Sequence, residues 1–417
     1  MQDSIVANTA QKYSSLGLNH LRNSWISMQD SIIVYTAHVC PPLLLGTDFA
    51  SPQSAVIRLD IPVQVVVVVF VNPFFISLEK HKKRGNWSPS TTTPAMPKKP
   101  ASGMMRIAIA GAGGLAALIT RELSRSAHAI LVLSRTPHPE FEAEYEDCQV
   151  AVVDYHNPGT LQFVLQGVDL VISTISGVEQ LNLIDAARQA RVHTFVPSEF
   201  EGALNHRPHP NNDPFDNGSS GALEQLQHWS SSRHYPMRYT VFSCGIFYER
   251  FAPGGIRTYN IGASCRLFNQ GDYMIDLEMG NAELPQANAQ GRPIQISMTS
   301  AEDVAHFIAA AVELGIDNWP REFKMRGARY TPQRILQICS EVRQIEFNVV
   351  SRPYSEMVDW LDYYHTQNDE DRCIQMQHLL QTADGRYTFG DTNLNELVGF
   401  EPMSFRQWLS RVWGPAQ

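Results

Sequence analysis

The residues whose types and spacing are best suited to chemistry are Gly111-Ala-Gly-Gly114. They follow a short apolar run, residues 107–110, and precede apolar residues at helical spacing: Leu115, Leu118, Ile119 and Leu123. This pattern dictates strand, tight turn and helix. Such a turn presents backbone N–H groups at a helix N-terminus, where the macrodipole favours negative charge. Glycine is required there because a nucleotide pyrophosphate must come close to the backbone, and a Cβ would block it. The spacing Gly111-x-x-Gly114-x-x-Ala117, overlapped by Gly111-x-Gly113, fits a dinucleotide turn; a glycine turn that merely closes a strand-helix unit is the alternative. On the first reading Gly111, Gly113, Gly114 and Leu115 bind the cofactor.

Further polar residues stand where apolar runs stop. Residues 129–133 end in Ser134-Arg135-Thr136. An acid at this place accepts from ribose hydroxyls, whereas a guanidinium suits a 2′-phosphate, so Arg135 favours NADP (NADPH) over NAD unless it is a solvated loop residue. Residues 149–153 end at Asp154, which contacts an adenine edge or plays a plain turn or capping role. Residues 169–173 run out into Thr174 and Ser176, small hydroxylic residues that fit a backbone lying against a cofactor. Residues 192–196 end in Pro197-Ser198-Glu199-Phe200. Open α/β sheets bind ligands outside the carboxyl ends of their strands, and all of these residues fall there.

The elements that must position them alternate from residue 105 onward, with residues 160–165 and 181–190 helical by spacing. The expected fold class is α/β, a Rossmann-type doubly wound parallel sheet with a smaller α+β substrate lobe. In the second half, residues 251–290 are rich in Gly and Asn, with Tyr259, Phe268, Tyr273 and Met274 interspersed. Ser300-x-x-Asp303 opens a helix over 304–314, residues 322–326 and 331–342 read as strand and helix, and residues 354–380 carry apolar side chains at helical spacing. The domains are accordingly 1–103, a poorly ordered N-terminal extension; 104–250, the NAD(P)-binding domain; and 251–417, the substrate lobe interleaved with the last strands of the sheet.

Within the extension, the apolar residues 61–78 are cut by Pro62, Gln64, Asn72 and Pro73. A spanning helix needs about 20 largely apolar residues, so a membrane anchor is the weaker reading here. Residues 88–100 are a linker by composition, and Met96, Met104 or Met105 would each begin a complete domain.

Hydrophobic content of 43% and charged content of 18% over 417 residues describe a soluble globular protein. A net charge of -9 argues against a nucleic-acid partner held by phosphate neutralisation. The six cysteines lack metal-ligand spacing and read as reduced thiols of a cytoplasmic protein, with Cys244 a packed thiol before a catalytic one. His206 and His209 read as loop residues, and no metal is expected.

Together these stretches resemble the NmrA-like and isoflavone-reductase-like group of atypical short-chain dehydrogenases. The resemblance rests on the Gly111 turn, Ser134-Arg135, residues 171–177, Phe195-Val-Pro-Ser-Glu-Phe200, residues 238–248 as a sixth strand, and residues 296–305 as a late strand leading into a helix. It runs from about residue 105 to the C-terminus. It implies an NADP-dependent reductase of small aromatic or polyketide-like carbonyls and alkenes in specialised metabolism. In the family's regulator branch it implies a nucleotide-sensing protein that binds a partner protein without turnover; an epimerase or dehydratase using bound NAD stands third. Reductases of this group carry a lysine on the helix after the fifth strand, and here residues 213–226 contain none. By spacing it would fall near Ser219, Ser220 or Gly221, and no TyrxxxLys pair replaces it. Tyr248 is then the first choice of proton donor, with a packed aromatic as the alternative. Ser198 and Glu199 come second, unless Glu199 braces a loop; Ser219 and Ser220 order a water or cap a helix.

Overall fold

The computed structural model describes residues 103–263 and 265–414, together with two short strands, Ala55–Ile57 and Val67–Val69. Those two pair antiparallel within a compact unit, Met1–Thr93, distinct from Pro94–Gln417. Apart from them, the expectation of a poorly ordered extension lies outside the described residues. Among the described residues no helix is long and apolar enough to cross a membrane.

Six parallel strands make the main sheet: β1 (Arg106–Ala110), β2 (Ala129–Ser134), β3 (Cys148–Val152), β4 (Leu170–Ser173), β5 (Thr194–Val196) and β6 (Arg238–Tyr239). Their spatial order is β3-β2-β1-β4-β5-β6. The chain direction of winding therefore reverses between β1 and β4, the switch point at which such sheets open a ligand crevice. Continuous apolar runs form these strands because both faces are covered. Ile107 and Ile109 face α1 (Gly114–Leu123), whereas Ala108 and Ala110 face the layer of α3 (Pro158–Val164), α4 (Val178–Gln189) and α5 (Ser219–Ser230). Between β2 and β3 lies the short α2 (Pro139–Glu144).

The expected sixth strand over 238–248 is three strands in three sheets. After β6, Val241–Ser243 (β7) pairs parallel with Glu322–Lys324, and Ile246–Phe247 (β8) pairs parallel with Ile296–Thr299. The break has a local cause. Cys244 and Gly245 turn to donate their N–H groups to the Glu201 carbonyl at 2.9 and 3.0 Å, and Gly245 takes φ +73°, where a Cβ would lie 2.0 Å from the Ser297 carbonyl oxygen. Apolar periodicity gives no sign of such a corner.

The second lobe adds the strands β9 (Ile275–Asp276), β10 (Asn281–Pro285), β11 (Ile296–Thr299), β12 (Glu322–Lys324), β13 (Ala328–Tyr330) and β14 (Asn348–Arg352). Its helices are α6 (Ala301–Glu313), α7 (Pro332–Arg343), α8 (Tyr354–Gln367), α9 (Glu370–Ala383), α10 (Asn393–Val398) and α11 (Phe405–Trp413). Residues 354–380 thus form two helices rather than one. Asn368 turns left-handed at φ 55° to end α8, and Asp369 caps α9 by accepting from the Arg372 N–H. Helix α6 shares a core with α1, Phe242 and Phe323.

Candidate active site

The turn after β1 is crowded by its own chain. Thr174 donates both its N–H and its hydroxyl to the Ala110 carbonyl, each at 2.8 Å, which draws the end of β4 onto the end of β1. Gly111 takes φ +108°, and a Cβ there would lie 2.4 Å from Thr174 Oγ1. At the start of α1, Gly114 donates its N–H to the Asn260 carbonyl at 2.8 Å. A Cβ on Gly113 would lie 2.9 Å from the Asn260 oxygen, and one on Gly114 only 1.8 Å from that of Tyr259. The glycines are therefore required by contacts within the chain, a reason that the turn sequence alone does not reveal. The N–H groups of Leu115 and Ala116 make no hydrogen bond among the described residues and are the unspent donors of this helix start. Gly114→Ala forces backbone apart from backbone, and overpacking of this kind costs about 1–3 kcal/mol. Its thermal midpoint is expected to fall clearly below that of the wild type; an unchanged melt would contradict the crowding.

At the end of β2, Ser134 is buried and Arg135 is exposed, with no hydrogen bond or ion pair to its guanidinium among the described residues. Tyr155 lies beneath, its hydroxyl donating to the Leu133 carbonyl at 2.9 Å. Asp154 is exposed and accepts from the His156 N–H at 2.9 Å, which gives it a turn role in this structure. At the end of β4, Ser176 accepts from the Asn217 side chain at 2.9 Å, so the loop before α5 lies over that strand end. Pro197 is buried after β5, and Ser198 is anchored through its N–H to Gln180 Oε1 at 2.7 Å.

Glu199 occupies the centre of a buried charge cluster. Only 3% exposed, it is ion-paired to Arg207 and accepts a hydrogen bond from the Ser219 hydroxyl. Arg207 also donates to Ser219 Oγ at 3.1 Å, and its Nε lies 3.2 Å from Glu201 Oε1. Arg386 extends the cluster, donating to Glu201 at 2.7 and 3.0 Å and to Asp213 at 2.7 Å. Burial pushes the Glu199 carboxyl above its ordinary value, with the Arg207 charge pulling the other way. Ser220 is spent on Asp216, to which it bonds through N–H and hydroxyl at 2.7 and 2.5 Å.

Tyr248 lies in the second lobe, past the corner at Gly245. It is fully buried in the core of the second lobe against Phe405 and Trp408, with its hydroxyl donating to the Met403 carbonyl at 3.2 Å. The packed-aromatic alternative describes it. Cys244 is likewise buried, and its thiol is pushed well up by desolvation. His206 bonds the carbonyl of Gly385, 179 residues along the chain, and His209 accepts from the Asn211 N–H within its own loop. Among the described residues no three His, Cys, Asp or Glu side chains gather as a metal site.

Sequence reading thus reaches Glu199 and Ser219 but misses Arg207, although it weighs the two histidines on either side. An arginine in a polar, proline-rich loop carries no local signal of burial. A sequence model of the NmrA-like family matches residues 104–382.

The chain belongs to the NmrA-like family.

Relatives of this NmrA-like chain include oxidoreductase BOA1 of Botryotinia fuckeliana, 26% identical over 250 residues that cover 57% of this chain and 76% of the relative. Oxidoreductase swnR of Metarhizium robertsii is 24% identical over 233 residues, covering 54% and 70%. Among solved structures, AtPrR2 with NADP+ and (+)pinoresinol superposes at TM-score 0.53 and 16% identity, covering 75% of this chain and all 100% of that one. The NADPH-dependent quinone oxidoreductase QOR2 of Escherichia coli superposes at TM-score 0.52 and 16% identity, covering 74% and 99%. These likenesses establish the Rossmann-like fold.

Proposed function

We propose that this NmrA-like protein is a cytoplasmic NADP-dependent reductase of a small organic carbonyl or alkene of specialised metabolism. The observation that carries the proposal is Arg135. An exposed guanidinium with no hydrogen bond or ion pair among the described residues stands at the end of β2, beside a glycine turn at the switch point of the sheet. That arrangement matches a 2′-phosphate on one side and a pyrophosphate on the other. Gly111, Gly113, Gly114 and Leu115 would line the pyrophosphate, which the unspent N–H groups of Leu115 and Ala116 would hold, since Asn260 already takes the Gly114 N–H. Arg135 would hold the 2′-phosphate and Asp154 the adenine edge, while Thr174, Ser176 and Pro197 would line the remainder. When bound, the dihydronicotinamide supplies hydride. The names of the relatives support redox chemistry, and the quinone and (+)pinoresinol named for the structural neighbours support a small organic substrate.

The proposal is tested by NADPH consumption against a panel of quinones, enones and hydroxyaromatic ketones, where turnover of at least one class is expected. A second reading, a non-catalytic sensor that binds a partner protein, is favoured by the absence of a lysine from residues 213–226. Tight NADPH binding with no consumption across the panel would select the sensor.

A further inference from the structure

Strand β14 is the outer strand of the order β9-β10-β14, so one of its edges meets no other strand among the described residues. Asn348, Val349, Val350 and Ser351 are all exposed, Val349 at 44% and Val350 at 40%. Successive side chains point to opposite faces, so both faces of the strand are open here. The hydrogen bonds fix which backbone groups are spent. Asn348 donates its N–H to the Gly280 carbonyl at 2.8 Å, and the Arg352 carbonyl accepts from the Gln286 N–H at 2.9 Å. In a parallel ladder alternate residues bond the same neighbour, so Asn348, Val350 and Arg352 turn to β10 while Val349 and Ser351 turn outward. Of the four outward groups only the Ser351 carbonyl has a partner among the described residues, a 3.4 Å bond from the Gln286 side chain. Proline or charge usually blunts such an edge, and residues 348–351 contain neither.

The charge beside this edge decides what it can take. On the face of Asn348 and Val350 a groove of about 680 Å³ lies between the sheet and the start of α9. Its lining carries five carboxylates, Asp272, Asp276, Glu283, Asp369 and Asp371, against one cation, Arg372. Backbone N–H groups hold Asp272, Asp276 and Asp369 in place without removing their charge, and Arg352 offsets Glu283 at 2.7 Å. A second copy of this chain would bring the same five carboxylates to the same edge, and like charges set against each other disfavour that pairing. Val349, on the opposite face, offers apolar surface instead.

We propose that the free edge of β14 docks an extended segment of a partner protein in which basic and apolar residues alternate. The segment adds to the three-stranded sheet as a further strand, its backbone bonding the outward groups of Val349 and Ser351. Its lysine or arginine side chains lie over the carboxylate groove, and its apolar side chains lie beside Val349. The site belongs to the second lobe and holds whether the protein reduces a substrate or only senses NADPH.

A fluorescein-labelled peptide of alternating lysine and valine, titrated against the full chain, is expected to bind saturably and to weaken as salt is added. It is also expected to slow hydrogen exchange of the amides of residues 349–351. A glutamate-valine peptide of the same length does not bind. Val349→Pro removes an outward N–H that the fold does not use, so the thermal midpoint is kept. Peptide affinity then falls about tenfold or more, the worth of one or two hydrogen bonds. Asp371→Lys reverses an exposed charge of the groove and lowers the affinity without altering the backbone edge. No binding of the lysine-valine peptide at low salt, equal binding of the two peptides, or full affinity in Val349→Pro and Asp371→Lys would overturn the proposal. Self-association of the wild type that Val349→Pro abolishes would also overturn it, because the occupant of the edge would then be a second copy.

Discussion

Arg386→Ala is expected to lower the folding free energy of this protein by about 3–5 kcal/mol, the cost of breaking a buried ion pair by removing one partner. Arg386 and Asp213 are 3% and 5% exposed at their side chains, and Glu201 lies on the other side of the same guanidinium. Removal strands the buried Asp213 carboxylate and takes a partner from Glu201, whose side chain is 26% exposed. Among the described residues, Asp213 retains the Gln381 amide and the Phe215 N–H, and Glu201 retains Arg207. Arg386→Lys does not rescue fully, because a single ammonium cannot fork between two carboxylates. The loop over 201–218 is fastened by these bonds, so activity falls together with stability. Equilibrium denaturation in guanidinium checks the value, and a loss below about 1 kcal/mol, the range of exposed pairs, would contradict a buried network.

The second large effect is a dependence of stability on pH that runs through Glu249. This side chain is 1% exposed in the 3-10 helix Tyr248–Phe251. One carboxyl oxygen accepts from the Ala301 N–H at 3.0 Å and the other, Oε2, is buried without a partner. Burial pushes the carboxyl up from its ordinary 4.5 to about 8, and the nearby Glu302 and Asp303 push the same way. The folded state therefore holds a proton that the unfolded chain has released. Its contribution is full below pH 4.5, declines as pH rises, and is lost once pH passes about 8. The expected loss across that window is a few kcal/mol. Glu199, Asp303 and Asp384 are raised in the same direction, whereas the buried His378 is lowered and penalises the acid side. Thermal melts from pH 6.5 to 9 isolate the first group. Glu249→Gln is expected to flatten much of the slope, and an unchanged slope would place the titration elsewhere.

Five strands and the polar residues at their ends were legible because both-faced burial writes uninterrupted apolar runs into the chain, whereas the sixth, expected over 238–248 from the resemblance, is only Arg238–Tyr239. The glycine turn was legible for a related reason, since only Gly tolerates such close approach. The identity of what approaches was not, because Tyr259 and Asn260 arrive from 145 residues away. The corner at Gly245 and the break at Asn368 were hidden too: each is made by a single residue at positive φ within an otherwise regular pattern. Tyr248 follows a strand end in sequence, yet the corner at Gly245 carries it into the second lobe. Arg386 pairs with acids 173 and 185 residues away, and although Arg207 pairs with Glu199 only 8 residues back, no local composition distinguishes a buried arginine from a solvated one.

The most direct measurement is a tryptophan-quench titration of the wild type and Arg135→Ala with NADPH, NADP, NADH and NAD at one ionic strength. A dinucleotide crevice with Arg135 on the 2′-phosphate predicts tight binding of NADPH and NADP over NADH and NAD in the wild type. That preference should collapse in Arg135→Ala, with NADH affinity unchanged. Equal affinity for the phosphorylated and unphosphorylated cofactors in the wild type, or no binding of either, would contradict it.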